Sequence, residues 1–389
     1  MKKHLIFLLM ITAAVSGFAA DQDVAVYEIH YNAALSYASQ LVILQDMAKT
    51  QPSDANEFYT KALRKLVAEY SNIKDDNEKK AADEQAIILA AQLGAGKHAP
   101  AASDLWQVAN RFEAAMARAE AMMALGNIPA PAYIPQIIRV LESMNVKPTP
   151  NRLYGERIAN GAIIALERYQ DPSGYLPVFF ASIGWYAPIV REQATKSLAI
   201  IAQDPSSYMM DVVKKSSYNH YAKFAALKNT EAAAIDNKKK VEIAVEALNQ
   251  GWRSNNRNEE IKITLAEMRK LAINMINRYK SDNQAIYQLL ERSCTQGGLD
   301  EKFSAIATLA SQGTEESSKR LSKLLVDLNN KRLRNNIDQE DEQLVRAVIP
   351  ALGQLGLAQS RSALSAVGAS NWPPAVVKLA DEALDQLKR

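Results

Sequence analysis

The sequence predicts an all-α fold: an α-α superhelix, or solenoid, of stacked helix pairs with an N-terminal helical cap. Good helix formers fill long runs such as 113–125 and 259–275. Only 15 of the 389 residues are glycine, and no stretch after residue 20 sustains the period-two alternation of a half-buried strand. A short pattern also recurs along the chain, which indicates a repeat array.

The first residues have the order of a secretory signal peptide. Two lysines precede an apolar run at 5–15, and small residues follow it. The run is shorter than the about 20 residues that a membrane-spanning helix needs. We therefore expect a signal peptide at 1–19, with cleavage after Ala19 favoured over cleavage after Ala20. The expected location is periplasmic or secreted, with no transmembrane segment and, because no cysteine lies at the cut, no lipid anchor.

Charge and cysteine content narrow the function classes. Loss of Lys2 and Lys3 with the leader would lower the formal net charge from +3 to about +1, so nucleic acid is not an expected partner. Cys294 is the only cysteine, which excludes an internal disulfide. Its helical spacing from Ile286 and Leu290 predicts a buried thiol, with a cross-linked dimer as the alternative. The oligomeric state stays open.

The recurring pattern is a small residue followed by Leu or Ile near the end of a helix, often with glycine next. Neighbouring copies lie roughly 32 to 43 residues apart, except across one wide gap that holds Leu227 as a degenerate copy. The clear copies are Leu93-Gly94, Leu125-Gly126, Leu166, Leu198, Ile276, Leu309, Leu352-Gly353 and Leu384.

Two offsets from these anchors predict the core. One helical turn before most anchors lies an alanine that permits close packing of a neighbouring helix. These alanines are Ala121, Ala162, Ala194, Ala272, Ala305 and Ala380. About three turns after each anchor lies an apolar residue expected in the core of the next helix. These residues are Leu105, Ile137, Val178, Met210, Leu289, Leu321 and Leu364.

The second helix of each pair carries a family resemblance. Residues 190–198 read Val-Arg-Glu-Gln-Ala-Thr-Lys-Ser-Leu, and 117–126 and 268–276 are further copies. They resemble the HEAT pattern V-R-x-x-A-x-x-A-L-G, which implies an armadillo-type stack of helix pairs. The units are shorter than the usual HEAT length of about 40 to 47 residues and closer to the short HEAT-like repeats of bilin lyases. Tetratricopeptide repeats rank second, because their Leu-Gly lies within a helix rather than at its end.

The same resemblance implies a ladder of polar contacts. In HEAT proteins the arginine of the pattern commonly bonds an aspartate at a turn of a neighbouring repeat. Arg118, Arg191 and Arg269 take the arginine position here, and Lys302 takes it before Leu309. No aspartate stands at the expected turn before Arg191.

The expected organisation is a cap at 20–80 followed by HEAT-like repeats at 81–389. The cap would consist of two longer helices at 28–50 and 55–73, because a terminal repeat must present a polar outer face.

Two charge-rich segments, 74–84 and 329–342, are predicted connectors. The acidic residues that close the second one, from Asp338 to Glu342, are expected to form a helix first turn that complements the helix dipole.

No catalytic or metal-binding motif emerges from the chain. His30, His98 and His220 lie far apart, without a second ligand at zinc-site spacing. The segment 94–98 lacks two essential residues of a phosphate-binding loop and is predicted to be a turn between helices. We therefore expect no metal, no cofactor and no enzymatic activity.

Aromatic residues concentrate at 175–224. They fit either core packing, which is usual for aromatic stripes at helical spacing, or a groove that anchors a partner. The residues predicted to bind a partner in the groove interpretation are Arg152, Arg157, Trp185, Tyr186, Tyr218, His220, Tyr221 and Trp252.

The sequence thus favours a non-catalytic scaffold or adaptor that binds a protein or peptide along its surface. Two alternatives stay open: a cofactor-attaching role like that of bilin lyases, and an envelope glycan-binding module with exposed Trp and Tyr platforms.

Overall fold

The computed structural model describes residues 24–52, 54–254, 257–281 and 283–387. Within these ranges the chain forms twenty α-helices joined by turns and short 3-10 helices, without a β-strand. The all-α prediction is confirmed. The predicted signal peptide and its cleavage position lie outside the described residues. None of the helices in the described ranges combines the length and apolarity of a membrane span.

The chain divides between Gln203 and Asp204 into two compact units, which we call the N-terminal unit and the C-terminal unit. The sequence does not predict this division. The predicted boundary at residue 80 falls instead inside a helix, Asp76–Ala95.

The N-terminal unit is a stack of helix pairs. Its helices are α1 (24–33), α2 (Tyr37–Thr50), α3 (Asn56–Glu69), α4 (Asp76–Ala95), α5 (Ala102–Arg111), α6 (Ala115–Asn127), α7 (Ile134–Val146), α8 (Arg152–Tyr169), α9 (Tyr175–Ser182) and α10 (Pro188–Ile201). The second helices α4, α6, α8 and α10 pack side by side, and α2 packs against α4. The first helices α3, α5, α7 and α9 each cover the second helix of their own pair.

The C-terminal unit repeats this arrangement. Its helices are α11 (Ser206–Lys214), α12 (His220–Ala232), α13 (Asn237–Arg253), α14 (Glu259–Tyr279), α15 (Ala285–Gln296), α16 (Leu299–Gln312), α17 (Glu315–Leu333), α18 (Gln339–Leu355), α19 (Arg361–Ser365) and α20 (Pro374–Gln386). The second helices run from α12 to α20 in even-numbered order and pack side by side. Each unit is therefore a two-layer segment of a helical solenoid.

The anchors of the sequence pattern lie in second helices, including the degenerate copy Leu227 in α12. All but the half-buried Leu384 are buried, and so are all six predicted alanines. Two predictions for the next helix are wrong by one residue. Met210 and Leu289 are only half-buried, whereas Met209 and Leu290 beside them are fully buried.

The glycines of the anchors have a packing role. A methyl group on Gly126 in the last turn of α6 would lie 2.8 Å from the Ala165 Cα of α8. Gly94 meets Ala124 in the same way, and Gly353 meets Ala383. Each glycine therefore lets its second helix approach the next second helix closely. The glycine of one anchor contacts the small residue that precedes the leucine of the next anchor.

The predicted N-terminal connector is wrong. The Asp75 side chain accepts hydrogen bonds from the N–H groups of Asn77 and Glu78, so residues 74–84 begin α4 instead of separating two helices. The predicted helix at 28–50 is likewise two helices, with a break at 34–36 that Ser36 ends by capping α2.

The second predicted connector, 329–342, contains a shorter break than expected, since α17 continues to Leu333. The acidic first turn is confirmed. Asp338 and Asp341 form a capping box at the start of α18, and Glu340 and Glu342 lie in the same turn.

Candidate partner-binding surfaces

The eight predicted partner-binding residues are shared between the two units. The N-terminal unit holds Arg152, Arg157, Trp185 and Tyr186, and the C-terminal unit holds Tyr218, His220, Tyr221 and Trp252.

Tyr186 is a core residue, so its prediction as a binding residue is wrong. Its side chain is buried, and its hydroxyl donates to Asn145 Oδ1 at 2.8 Å. Burial raises the pKa of the Tyr186 phenol. Tyr175 and Phe179 on α9 are buried as well, so this part of the aromatic cluster packs the interior.

Trp185 and Arg152 tie two neighbouring turns together. Trp185 is half-buried in the turn between α9 and α10, and its Nε1–H donates to the Met144 carbonyl at 2.9 Å. Arg152, at the start of α8, donates to the Trp185 carbonyl at 2.8 Å and to Glu156 Oε1 at 2.9 Å. These contacts fix the edge at which first helices end and second helices begin.

Large apolar side chains are exposed along this edge over three consecutive helix pairs. We call them the turn strip. Its members and their exposed fractions are Met116 at 41%, Val146 at 78%, Leu153 at 54%, Ile183 at 38% and Ile189 at 77%.

Three members of the strip lie near the starts of neighbouring second helices. Met116, Leu153 and Ile189 are each the second residue of α6, α8 and α10, which pack side by side. The starts of α6 and α8 are joined by Arg118, which donates to the Tyr154 hydroxyl at 2.7 Å. Adjacent exposed apolar side chains of this kind mark interaction surfaces more often than isolated ones do.

Three exposed cations accompany the turn strip: Lys147, Arg157 and Arg191. Within the described ranges, none of the three takes part in an ion pair. The predicted residue Arg157 therefore lies beside the strip, one helical turn after Leu153 on the same face of α8.

Charge pairs occupy part of the corresponding edge of the C-terminal unit. Arg269 on α14 makes a bidentate contact with Glu301 on α16, at 2.9 and 3.0 Å, and Glu301 is only 3% exposed. Lys302 on α16 pairs with Glu340 on α18. The ladder implied by the family resemblance is thus present here, with glutamates of the next second helix in place of aspartates.

Trp252 belongs to this ladder. Its ring lies 4.1 Å from the Arg269 guanidinium and 4.7 Å from that of Arg292, and its Nε1–H donates to Ser293 Oγ at 3.1 Å. These contacts hold the end of α13 against α14 and α15.

The three remaining predicted residues lie around the start of α12. Tyr221 is exposed, and a hydrogen bond to Glu260 raises the pKa of its phenol. Tyr218 is half-buried. His220 takes the arginine position of its repeat. Its Nδ1 is buried without a hydrogen-bond partner in the described part of the chain. Burial, and then the charge of Lys223, lower the pKa of His220.

A cleft of about 880 Å³ opens on the opposite edge of the C-terminal unit, where second helices end and first helices begin. We call it the C-terminal cleft. Sequence reasoning missed it because its residues come from four helices and two turns. Its described lining is Lys238, Val241, Glu242, Val245, Tyr279, Lys280, Ser281, Asn283, Gln284, Tyr287, Ser311, Gln312 and Thr314.

One segment of the chain matches a known repeat family. Residues 117–143, in α6 and α7, match the family described as PBS lyase HEAT-like repeat. Together with the two-layer packing of both units, this match supports a HEAT-like repeat protein. No curated protein matches the chain.

Proposed function

We propose that the chain is a non-catalytic scaffold that binds a partner protein through the turn strip of its N-terminal unit. The observation that carries this proposal is the exposure of Met116, Leu153 and Ile189 near the starts of three consecutive second helices. Burial of apolar surface contributes about 25 cal/mol for each Å² removed from water, from which the costs of association are subtracted.

The exposed cations beside the strip define the chemistry of the partner. Lys147, Arg157 and Arg191 would pair with carboxylates at the rim of the contact, where charge mainly sets specificity and association rate. The proposed partner segment therefore combines apolar side chains with Asp or Glu.

The location proposed for this complex is the periplasm or the extracellular space, because a leader-like segment begins the sequence. A glycan-binding role receives less support. The Tyr186 ring is buried, and the Trp252 ring lies against two guanidinium groups, so neither offers an open stacking face. The family match covers one repeat, at 117–143. Because it describes a repeat, it does not favour a cofactor-attaching activity.

Site-specific photo-cross-linking tests the proposal. A benzophenone amino acid would replace Leu153 or Ile189 in cells that make the protein, and Ile263 on α14 is the matched control because it is also an exposed isoleucine. We expect both strip positions to give the same adduct, and the control to give none. Absence of an adduct at the strip, or equal labelling at Ile263, would refute the proposal. An adduct with a second copy of the chain would replace it with self-association.

A further inference from the structure

The C-terminal cleft has the composition of a ligand site. Val241, Val245 and Tyr287 are largely buried residues that form an apolar floor. Amide and hydroxyl side chains surround them, and Lys238 and Lys280 place positive charge on two walls. The volume lies within the range of ligand sites, in which apolar surface supplies contact area and polar groups fix orientation.

The backbone at the cleft is strained. Lys280 has φ 61° and ψ 157°, a region that is almost confined to glycine and costs about 1–3 kcal/mol for other residues. Its N–H donates to the Ile276 carbonyl at 3.0 Å, and its Nζ donates to the Ser311 carbonyl at 2.7 Å. The bond to Ser311 holds the Lys280 ammonium at the cleft, and this ammonium has two further N–H donors.

The lining favours a peptide over a sugar. Sugars bind by stacking on an open aromatic face, but Lys240 and Arg278 already lie over the Tyr279 ring, at 5.3 and 5.9 Å. Tyr287 is buried and bonds Thr314 through its hydroxyl at 2.9 Å. Amide groups such as that of Gln312, whose Oε1 accepts from the Ser281 N–H at 3.4 Å, match the donors and acceptors of a peptide main chain.

The charges specify the peptide further. Lys280 and Lys238 suit a carboxylate, and Glu242 can accept hydrogen bonds from main-chain N–H groups. We propose that the C-terminal cleft binds an extended peptide segment with an acidic side chain between apolar side chains. This site is separate from the turn strip, and the proposal does not depend on the strip having a partner.

The test uses capped pentapeptides and the full chain. The acidic probe is acetyl-Gly-Leu-Asp-Leu-Gly-amide, and the matched probes carry Asn or Lys at the central position. Methyl resonances of Val241 and Val245 report binding at the cleft, and digalacturonate serves as an acidic sugar. We expect saturable shifts of both valines and a Kd at least tenfold lower for the Asp peptide than for the Asn peptide.

Lysine substitutions test which ammonium groups bind the peptide carboxylate. Lys280→Gln and, independently, Lys238→Gln should each weaken binding of the Asp peptide several-fold, whereas Lys262→Gln on the exposed face of α14 should not. Thermal unfolding of each variant checks that the fold persists. Absence of valine shifts at millimolar peptide would overturn the proposal. Equal affinity for the Asn or Lys peptide, or preferential binding of digalacturonate, would overturn it as well. Loss of photo-cross-linking at the turn strip would leave it unaffected.

Discussion

Lys280 provides a test of backbone strain at a single residue. Its φ of 61° lies in the left-handed region, and its ψ of 157° excludes the αL conformation that other residues tolerate. Replacement by glycine relieves strain of about 1–3 kcal/mol but loses about 0.5–1 kcal/mol through greater chain entropy and also loses the bond to Ser311.

We therefore expect Lys280→Gly to raise the free energy of unfolding slightly or leave it unchanged, as measured by urea denaturation. Lys280→Gln is the matched control, because it retains the strain and loses the ammonium. It should be less stable than the wild type. A glycine variant less stable than the glutamine variant would show that the backbone at this position is not strained.

His220 predicts a pH dependence of stability. Burial and the neighbouring Lys223 lower its pKa in the folded protein, so the unfolded chain binds a proton more readily. The stability that this residue contributes is present above the unfolded pKa of about 6.5 and is lost as pH falls through the lower folded pKa.

Urea unfolding at pH 7.5 and pH 5.5 measures this effect. Part of the stability loss on acidification should disappear in His220→Gln, because glutamine does not titrate. An identical pH slope for the wild type and the variant would contradict the assignment. Titration of the His220 ring by NMR would confirm it independently.

Individual site residues are hard to predict from sequence because the sequence does not show which side chains face solvent. Trp185 and Tyr186 are adjacent and equally aromatic, yet one lies half-exposed at a turn and the other is buried against Asn145. Exposed Leu153 and Ile189 have no distinguishing side-chain chemistry, because isoleucine and leucine usually indicate core. Only their place near the starts of neighbouring second helices, which requires the structure, makes them a candidate surface.

At the scale of the helix pair, Gly126 controls how closely α6 and α8 approach. A Cβ atom at this position would lie 2.8 Å from the Ala165 Cα and 2.9 Å from its carbonyl oxygen. Alanine is otherwise better than glycine in a helix by about 1 kcal/mol, but backbone cannot yield as a flexible side chain does.

Gly126→Ala should therefore destabilise the protein by about 1–3 kcal/mol, measured as a lower urea midpoint. Gly368→Ala is the control, because a Cβ atom there would meet only the Ser365 carbonyl at 3.8 Å. Equal stability of Gly126→Ala and the wild type would show that the two helices can separate without cost.

The charge ladder connects second helices in the C-terminal unit. Glu301 is buried, and Arg269 is largely buried, so removing one partner leaves a charge without compensation. We expect Glu301→Leu to lower the free energy of unfolding by about 3–5 kcal/mol. The double variant with Arg269→Met should recover most of this loss.

A double-mutant cycle with urea unfolding measures the coupling between the two residues. The pair Lys196 and Glu192, which is exposed on α10, serves as a control and should show a much smaller coupling, because solvent screens exposed charges. A similarly small coupling for Arg269 and Glu301 would mean that the ladder does not hold the repeats together.

The packing of helix pairs is the most predictable feature of the sequence, because each pair buries the same kinds of residue at the same spacing. The anchors and the alanines one turn before them are buried, since both follow from helical period and the need for close approach. The prediction of a connector at 74–84 is wrong because the charged residues on a long, solvated helix face have the composition of a loop. The capping aspartate Asp75 was the available signal.

At the scale of the whole molecule, the two units carry the same architecture with different edges. In the N-terminal unit, the edge where second helices begin exposes apolar side chains at three repeats. In the C-terminal unit, the corresponding edge carries the ladder from Arg269 to Glu340. The first edge therefore leaves apolar side chains in solvent, whereas internal charge pairs occupy part of the second edge. The division at Gln203 was not predictable, because the helical pattern continues across it.

If the turn strip binds a partner as proposed, charged substitutions in the strip should weaken affinity for the protein captured by cross-linking at Leu153. Replacement of both Leu153 and Ile189 by Asp removes two apolar contacts and introduces charges that repel an acidic segment. We expect the Kd of the double variant to be at least about tenfold higher, equivalent to about 1.4 kcal/mol, and the Kd of Ile263→Asp to be unchanged. An unchanged Kd for the double variant would contradict the proposal.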